Sequence, residues 1–343
     1  MRAAALGILF AAYTLPVFAG PCSGAEAQLA RVSAKLTLGD IGSAEMMLTP
    51  IAASHRDCPE LLLQQGRIEA AKGNTRAAAE LYVQYTDLAA QDSRGFAYFG
   101  RLFLDQKDYS KAEALAVAAV ERNSNDPTAL ALRGQILNLK GQRQEGKKLL
   151  ERACQLDPND PEAQYQLGAI YDSEKNSIAA VKYFRRATKL NPSDARSWDY
   201  LGLNLEPLEQ LEGADQAYRK ALSVNQGGRF YDAFVDYNYG RFLMKRNQLA
   251  AAKQHLDRAV DLVPQVRAVW YERAKLNLRM RNYQQARTDA EKAEATEDPA
   301  HVILDLQIYS LLGQVYARLG ETGLARKYAE LTRDTPPPVR KEN

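Results

Sequence analysis

Small residues return every 34 positions through the middle of this chain. In five consecutive intervals a glycine stands at the same place, and a second small residue follows it by twelve positions. The glycines are Gly66, Gly100, Gly134, Gly168 and Gly202, and the residues that follow them are Ala78, Ala112, Gly146, Ala180 and Ala214. Two columns that agree over five intervals indicate a repeated supersecondary unit and not a single globular core.

The same register continues on both sides of these five copies. Insertions of four and five residues interrupt it twice, and the first copy is degenerate. The pairs that continue it are Val32 with Ala44, Gly240 with Ala252, Ala274 with Ala286, and Gly313 with Ala325. The sequence therefore predicts nine copies within residues 20–334, starting near positions 25, 59, 93, 127, 161, 195, 233, 267 and 306.

Each copy has the pattern of two helices joined by a turn. In the copy that starts at 161, Leu167 and Tyr171 share one helical face, and Ala180 and Phe184 begin an apolar stripe on a second helix. Pro192 ends that helix because proline cannot continue the hydrogen-bond ladder. Small residues at both crossing positions let the two antiparallel helices approach closely, and larger neighbours fill the gaps on either side.

The motif Leu167-Gly168-x-x-Tyr171 followed by Ala180-x-x-x-Phe184 and Pro192 resembles the tetratricopeptide repeat. The resemblance covers nearly all of the chain after the first residues. It implies an all-α fold, an α-solenoid in which stacked hairpins form a right-handed superhelix, with the first helices lining a concave groove that binds other proteins. Val32, Gly146 and Asn277 depart from the pattern and are expected to weaken their own copies.

Residues 1–19 have the features of a secretory signal peptide. Arg2 precedes an uncharged apolar stretch, and small or modest side chains stand before Gly20, where we expect cleavage. A short buried helix or an uncleaved anchor is the alternative. Export to the bacterial periplasm, or secretion, is therefore predicted, and residues 335–343, which begin with a proline run, are predicted to be a disordered tail.

Two of the three cysteines flank the first hairpin. Cys22 lies just before its first helix and Cys58 just after its second, and antiparallel helices bring these two ends together. In an oxidising compartment a Cys22–Cys58 disulfide would then staple the weakest copy. Two unpaired thiols are the alternative.

The sequence holds no arrangement typical of catalysis. The three histidines, at positions 55, 255 and 301, fall in different copies, and neither a nucleophile elbow nor a phosphate-binding glycine loop is present. We therefore expect a protein that is not an enzyme and has no cofactor or metal. A net charge of +3 is too balanced for a nucleic-acid partner, and nothing after the signal is apolar enough to span a membrane.

If the first helices line the groove, certain positions of each copy should face a partner. The predicted groove residues are Arg67, Tyr98, Arg101, Tyr165, Tyr200, Tyr237, Asn238, Arg241, Tyr271, Lys275 and Arg279. Tyrosine offers apolar area with a polar tip, and Arg or Lys can bind carboxylates. The hypothesis is that the seventh and eighth copies bind an acidic or C-terminal protein segment. The alternative is that the tyrosines pack against neighbouring helices.

Three functions fit these features. The first is an interaction scaffold or adaptor in the bacterial periplasm or cell envelope that binds a polypeptide segment in the groove. A narrower one is a subunit of an envelope assembly or secretion machine, of the kind that builds pili or inserts outer-membrane proteins. The third is a carbohydrate or cell-wall binding module, because tyrosines also stack on sugar rings.

Overall fold

The computed structural model describes residues 22–225, 232–299 and 301–336. The described part is all-helical, with eighteen α-helices and no strand. The predicted signal peptide, residues 1–19, and most of the predicted tail, residues 337–343, lie outside the described residues. The chain divides into two compact units, unit 1 with residues 1–163 and unit 2 with residues 164–343.

Every helix is 11 to 15 residues long, so each makes three to four turns. The helices are α1 Glu26–Thr37, α2 Ile41–Ser54, α3 Pro59–Ala71, α4 Thr75–Leu88, α5 Ser93–Asp105, α6 Tyr109–Arg122, α7 Pro127–Leu139, α8 Arg143–Leu156, α9 Pro161–Ser173, α10 Ser177–Leu190, α11 Ala195–Leu205, α12 Leu211–Asn225, α13 Ala233–Lys245, α14 Leu249–Leu262, α15 Arg267–Arg279, α16 Tyr283–Ala295, α17 Asp305–Leu319 and α18 Thr322–Asp334. A short 3-10 helix, Glu206–Leu208, follows α11.

Aspartate side chains fix where many of the first helices begin. Asp92, Asp126, Asp194 and Asp232 each accept a hydrogen bond from a backbone N–H in the first turn of the helix that follows. Such N-caps satisfy donors that have no partner inside the helix. The capping residues directly precede α5, α7, α11 and α13, so the sequence sets the start of each hairpin locally.

Each hairpin turns at a residue with positive φ. These residues all stand fourteen positions after the start of their copy: Gly39, Gly73, Lys107, Gly141, Lys175, Glu209, Asn247, Arg281 and Gly320. Only some of them are glycine, although glycine adopts this left-handed conformation at least cost. The turn geometry therefore repeats where the residue type does not.

The glycine column lies where a second helix presses a large side chain onto the first. A Cβ added to Gly202 would lie 2.8 Å from Cε1 of Tyr218, and one added to Gly168 would lie 2.8 Å from Cε1 of Phe184. Tyr218 and Phe184 are fully buried, and each stands sixteen residues after its glycine. The small residues thus leave room for these side chains in the core of the hairpin.

Within each unit, successive hairpins stack so that their first helices pack directly against one another. In unit 1, α1 contacts α3, α3 contacts α5, and α5 contacts α7; in unit 2, α11 contacts α13, α13 contacts α15, and α15 contacts α17. The second helices pack mainly against the first helices on either side. We therefore define the first-helix surface of unit 2 as the outward-facing side chains of α11, α13 and α15.

A disulfide joins Cys22 to Cys58, with their Cα atoms 4.7 Å apart. Cys22 lies four residues before α1, whereas Cys58 is the N-cap residue of α3 and is buried. The bond therefore links the chain before the first hairpin to the start of the second.

Asn277 does not leave a buried polar group unsatisfied. Its side-chain amide donates to Oδ2 of Asp289 at 2.9 Å, and the same carboxylate receives two hydrogen bonds from Arg273. Asn277 and Asp289 are both buried. The apolar residue usual at this position is replaced by a polar cluster whose members are hydrogen-bonded to one another.

Candidate partner-binding surface

In unit 1, the predicted groove residues are held by neighbours along the first helices. Arg67 donates to Oγ of Ser33 at 2.8 Å, and its guanidinium lies 4.6 Å from the ring centre of Tyr98. Arg101 donates to Oε1 of Gln135 and, at 3.0 Å, to Oε1 of Glu162. These arginines connect successive first helices, so they also stabilise the stack.

In unit 2, Tyr165 and Tyr200 are brought together at the side of a buried phenylalanine. Their ring centres are 5.8 Å apart with the rings nearly perpendicular, and Phe184 lies 5.8 Å from Tyr165 and 5.5 Å from Tyr200. The guanidinium of Arg196 covers Tyr165 at 4.6 Å. Both tyrosines therefore pack against side chains of neighbouring helices.

Asn238 is buried and bridges α13 to α11. Its amide donates to Oδ2 of Asp199 at 2.7 Å, and Oδ1 of Asp199 has no hydrogen-bond partner within the described part of the chain. Burial raises the pKa of Asp199 to about 8; the bond from Asn238 opposes that rise, and the nearby carboxylates of Asp232 and Glu206 add to it. Asn238 is therefore committed to a buried carboxyl group.

Two cation–ring pairs lie on the first-helix surface of unit 2, and all their members are half-buried except Tyr237, which is buried. On α13 the guanidinium of Arg241 lies 5.5 Å from the ring centre of Tyr237, and on α15 the ammonium of Lys275 lies 5.1 Å from that of Tyr271. Burial raises the pKa of Tyr237 to about 12, so its hydroxyl is a neutral donor near pH 7.

Glu272 joins these two pairs. Its carboxylate is 2.9 Å from Nζ of Lys275 and 3.9 Å from Nε of Arg241, and its side chain is only 8% exposed. It stands in the same register as Tyr200 and Asn238 but was not among the predicted groove residues. Its position in the repeat was the signal that could have identified it.

Arg279 is bound to the end of the neighbouring first helix. Its guanidinium donates to the backbone oxygen of Met244 at 2.7 Å and to Oδ1 of Asn247 at 3.1 Å. A cation at a helix C-terminus satisfies carbonyls that have no partner within the helix. Arg279 therefore helps α15 pack against α13.

A recess of about 370 Å³ opens between α11, the 3-10 helix and α13. Its lining residues are Leu203, Glu206, Pro207, Leu211, Arg241, Phe242, Lys245 and Arg246. Arg241 is one of the predicted groove residues. The recess forms because the proline of the 3-10 helix interrupts the regular end of α11.

Neither a metal centre nor a membrane span is present in the described residues. No group of three or more His, Cys, Asp or Glu side chains there is placed to hold a metal ion. None of the described helices combines the length and the apolar character needed to cross a bilayer.

Comparison with known families bears directly on the repeats. Models of the tetratricopeptide repeat match residues 161–194, and also residues 99–161 and 237–302. This chain contains tetratricopeptide repeats. Comparison with curated proteins finds no match.

Solved structures of tetratricopeptide-repeat type share the fold. A structure of the APC/C hetero-tetramer Cut9–Hcn1 is similar with a TM-score of 0.71 and 14% identity, over 84% of this chain and 55% of that one. PilW, described as a type IV pilus biogenesis factor, is similar with a TM-score of 0.53 and 21% identity, over 61% of this chain and 93% of its own. Pseudomonas aeruginosa pilF gives a TM-score of 0.50 and 19% identity, over 63% and 97%. This chain thus spans about half the length of the Cut9–Hcn1 chain, and identities this low establish the fold alone.

Proposed function

We propose that this protein is an exported interaction scaffold of the bacterial periplasm or cell envelope, with nine tetratricopeptide copies and no catalytic activity. It binds an acidic or C-terminal polypeptide segment along the first-helix surface of unit 2. The observation that carries this proposal is the pair of partly exposed cations, Arg241 and Lys275, which lie over the rings of Tyr237 and Tyr271 and are joined through Glu272.

This arrangement suits a peptide with carboxylates. The 3.9 Å separation of Arg241 from Glu272 exceeds normal hydrogen-bond distance, so Glu272 does not hold the guanidinium by a hydrogen bond. A partner carboxylate can therefore engage Arg241 at little cost, while the tyrosine rings pack against the adjacent aliphatic stem.

The same geometry argues against sugar stacking. Cations already lie over the rings of Tyr165, Tyr237 and Tyr271, at 4.6, 5.5 and 5.1 Å from the ring centres. A sugar ring that stacks on tyrosine needs one of those faces. We therefore rank the carbohydrate-binding alternative below polypeptide binding.

The narrower alternative is a subunit of an envelope machine. The likeness to PilW and pilF is a likeness of fold and does not assign their role to this chain. Co-purification with a pilus or outer-membrane assembly complex would favour this alternative over a free adaptor.

The proposal is tested by crosslinking in the native host. A photoreactive residue at Tyr237 or Tyr271 is expected to crosslink a protein, and the double variant Arg241→Gln, Lys275→Gln is expected to lose that product. Arg326→Gln, at an exposed position on α18, is the control and should keep it. An unchanged crosslink in the double variant would rule out this surface.

Export is tested separately on the protein purified from that host. The first residue of the mature chain is expected to be Gly20. A chain that still carries Met1 would contradict export with cleavage.

A further inference from the structure

The recess beside α13 combines an apolar floor with a cationic rim. Phe242, which is only 2% exposed, forms the floor together with the half-buried Leu203 and Leu211. Arg241, Lys245 and Arg246 stand at the rim. The recess therefore offers apolar contact and positive charge within the reach of a single peptide segment.

The three rim cations do not converge on one point. Arg241 is directed to Glu272 at 3.9 Å, Lys245 to Glu206 at 2.6 Å, and Arg246 to Glu212 at 3.7 Å. These carboxylates lie on α15, on the 3-10 helix and on α12. A single carboxylate, such as that of a chain terminus, would need convergent donors, whereas several separate carboxylates fit this arrangement.

Two of these ion pairs are readily exchanged. Glu212 is 84% exposed, and both it and Glu272 lie beyond normal hydrogen-bond distance from their arginines. Glu206 differs, because it also accepts a hydrogen bond from the hydroxyl of Tyr218 at 2.6 Å. Among the lining residues Glu206 is the single carboxylate against three cations, and Glu272 and Glu212 approach the two arginines from outside the lining.

We propose that this recess binds a large apolar side chain that a protein partner presents between acidic residues of an internal segment. The apolar side chain lies on the half-buried Leu203 and Leu211, and the flanking carboxylates bind Lys245 and Arg246. This inference rests on the proposed function, that unit 2 holds a polypeptide, and it adds the class of residue at one position. A volume of about 370 Å³ is at the lower end of ligand pockets and accommodates one such side chain.

The test uses the full chain and a labelled peptide in a fluorescence anisotropy titration. The probe is Ser-Gly-Asp-Glu-Phe-Glu-Asp-Gly-Ser with its C-terminus amidated, so that all its carboxylates belong to side chains. The double variant Lys245→Gln, Arg246→Gln is expected to bind about tenfold or more weakly, since charge-assisted hydrogen bonds are lost. Arg219→Gln, at an exposed position on α12, removes a cation outside the recess and should bind as the wild type does.

Two further titrations are expected to change the affinity for the probe in ways that a general loss of structure does not explain. Glu206→Gln keeps an acceptor for Tyr218 but removes the competing charge, so it is expected to tighten binding several-fold. A probe with Ala in place of Phe is expected to bind about tenfold more weakly, because it no longer buries the ring.

Several outcomes would overturn the inference. These are no wild-type binding up to about 1 mM probe, equal binding by the Lys245, Arg246 double variant, or equal binding of a probe with Asn and Gln in place of its acids. A non-amidated peptide with a single terminal carboxylate that binds more tightly would also overturn it. If the crosslinks at Tyr237 and Tyr271 persist while any of these occurs, the recess assignment fails and the proposed function stands.

Discussion

Asn238 on α13 donates its side-chain amide to Oδ2 of Asp199 on α11 at 2.7 Å, while Oδ1 of the same carboxyl group is buried without a partner in the described structure. A buried carboxylate with an unsatisfied oxygen is costly, and protonation removes that cost. This contact therefore makes the stability of unit 2 depend on pH.

The sign follows from the pKa of Asp199, which burial raises to about 8 from an unfolded value of about 3.9. Between these values the folded state binds the proton and the unfolded state releases it, so stability is fully present below about pH 4 and falls until about pH 8. In the wild type we expect the free energy of unfolding to fall by on the order of 1 kcal/mol per pH unit between pH 5 and pH 8. Asp199→Asn is expected to abolish this pH dependence, as measured by urea unfolding at pH 5 and pH 8. Asp261→Asn, at an exposed position on α14, is the control. A pH slope that is the same in both variants would contradict the assignment.

The glycine column predicts opposite responses at two equivalent positions. Gly202→Ala drives a Cβ to within 2.8–3.0 Å of the Tyr218 ring and is expected to destabilise by about 1–3 kcal/mol. Gly313→Ala meets nothing closer than 3.7 Å, because Ala329 replaces the large side chain at that place, and it is expected to be neutral or stabilising. Urea midpoints of the two variants provide the comparison. Equal losses of stability in the two variants would mean that Gly202 is not required because of its contact with the Tyr218 ring.

The Cys22–Cys58 disulfide closes a loop with a sequence separation of 36. The loss of such a cross-link is expected to lower the free energy of unfolding by roughly 3 kcal/mol, because the unfolded chain gains conformational entropy. Cys22→Ser, Cys58→Ser should therefore lower the urea midpoint of unit 1, and reductant should have no further effect. Cys154→Ser is the control and should keep its response to reductant. Absence of a Cys22–Cys58 peptide in non-reducing mass mapping would reject the bond.

The buried cluster on α15 and α16 predicts a loss that a second change reverses. Asp289→Ala leaves Arg273 buried without its main partner and is expected to cost about 3–5 kcal/mol. The combination Arg273→Met, Asn277→Leu, Asp289→Leu replaces the three central members by apolar side chains, leaves the half-exposed Asp257 at the edge, and should recover most of that loss. Thermal unfolding distinguishes the two variants. If the triple variant is no more stable than Asp289→Ala, the loss in that variant does not come from the unpaired charge of Arg273.

The helical repeat was predictable because it depends on small residues at fixed positions of each copy, and these are visible in the sequence. Gly202 and Ala214 mark a crossing whose spacing is fixed by helix geometry, and the helices begin where the register places them. The left-handed conformation of the turn residues was not predicted. Positive φ recurs at Gly141, Lys175 and Glu209, but the residue type changes, so no column of identical residues reveals it.

The candidate surface was predictable only in part. Register places Tyr237, Arg241 and Lys275 on first helices, but it does not show which of their atoms already have partners. The carboxylate of Glu272 lies near both Arg241 and Lys275, and Arg279 donates to the backbone oxygen of Met244. Such pairings depend on side-chain rotamers and on neighbours one copy away, which a one-dimensional pattern does not contain.

The Cys22–Cys58 bond has a mechanical consequence. In a stack of hairpins each hairpin contacts only its neighbours, so a pulling force on the terminus detaches the terminal hairpin first. Here tension applied ahead of Cys22 passes through the sulfur bridge straight to the start of α3, and α1 and α2 carry none of it. The first hairpin therefore carries no tension, and a pulling force applied ahead of Cys22 acts first on the second hairpin.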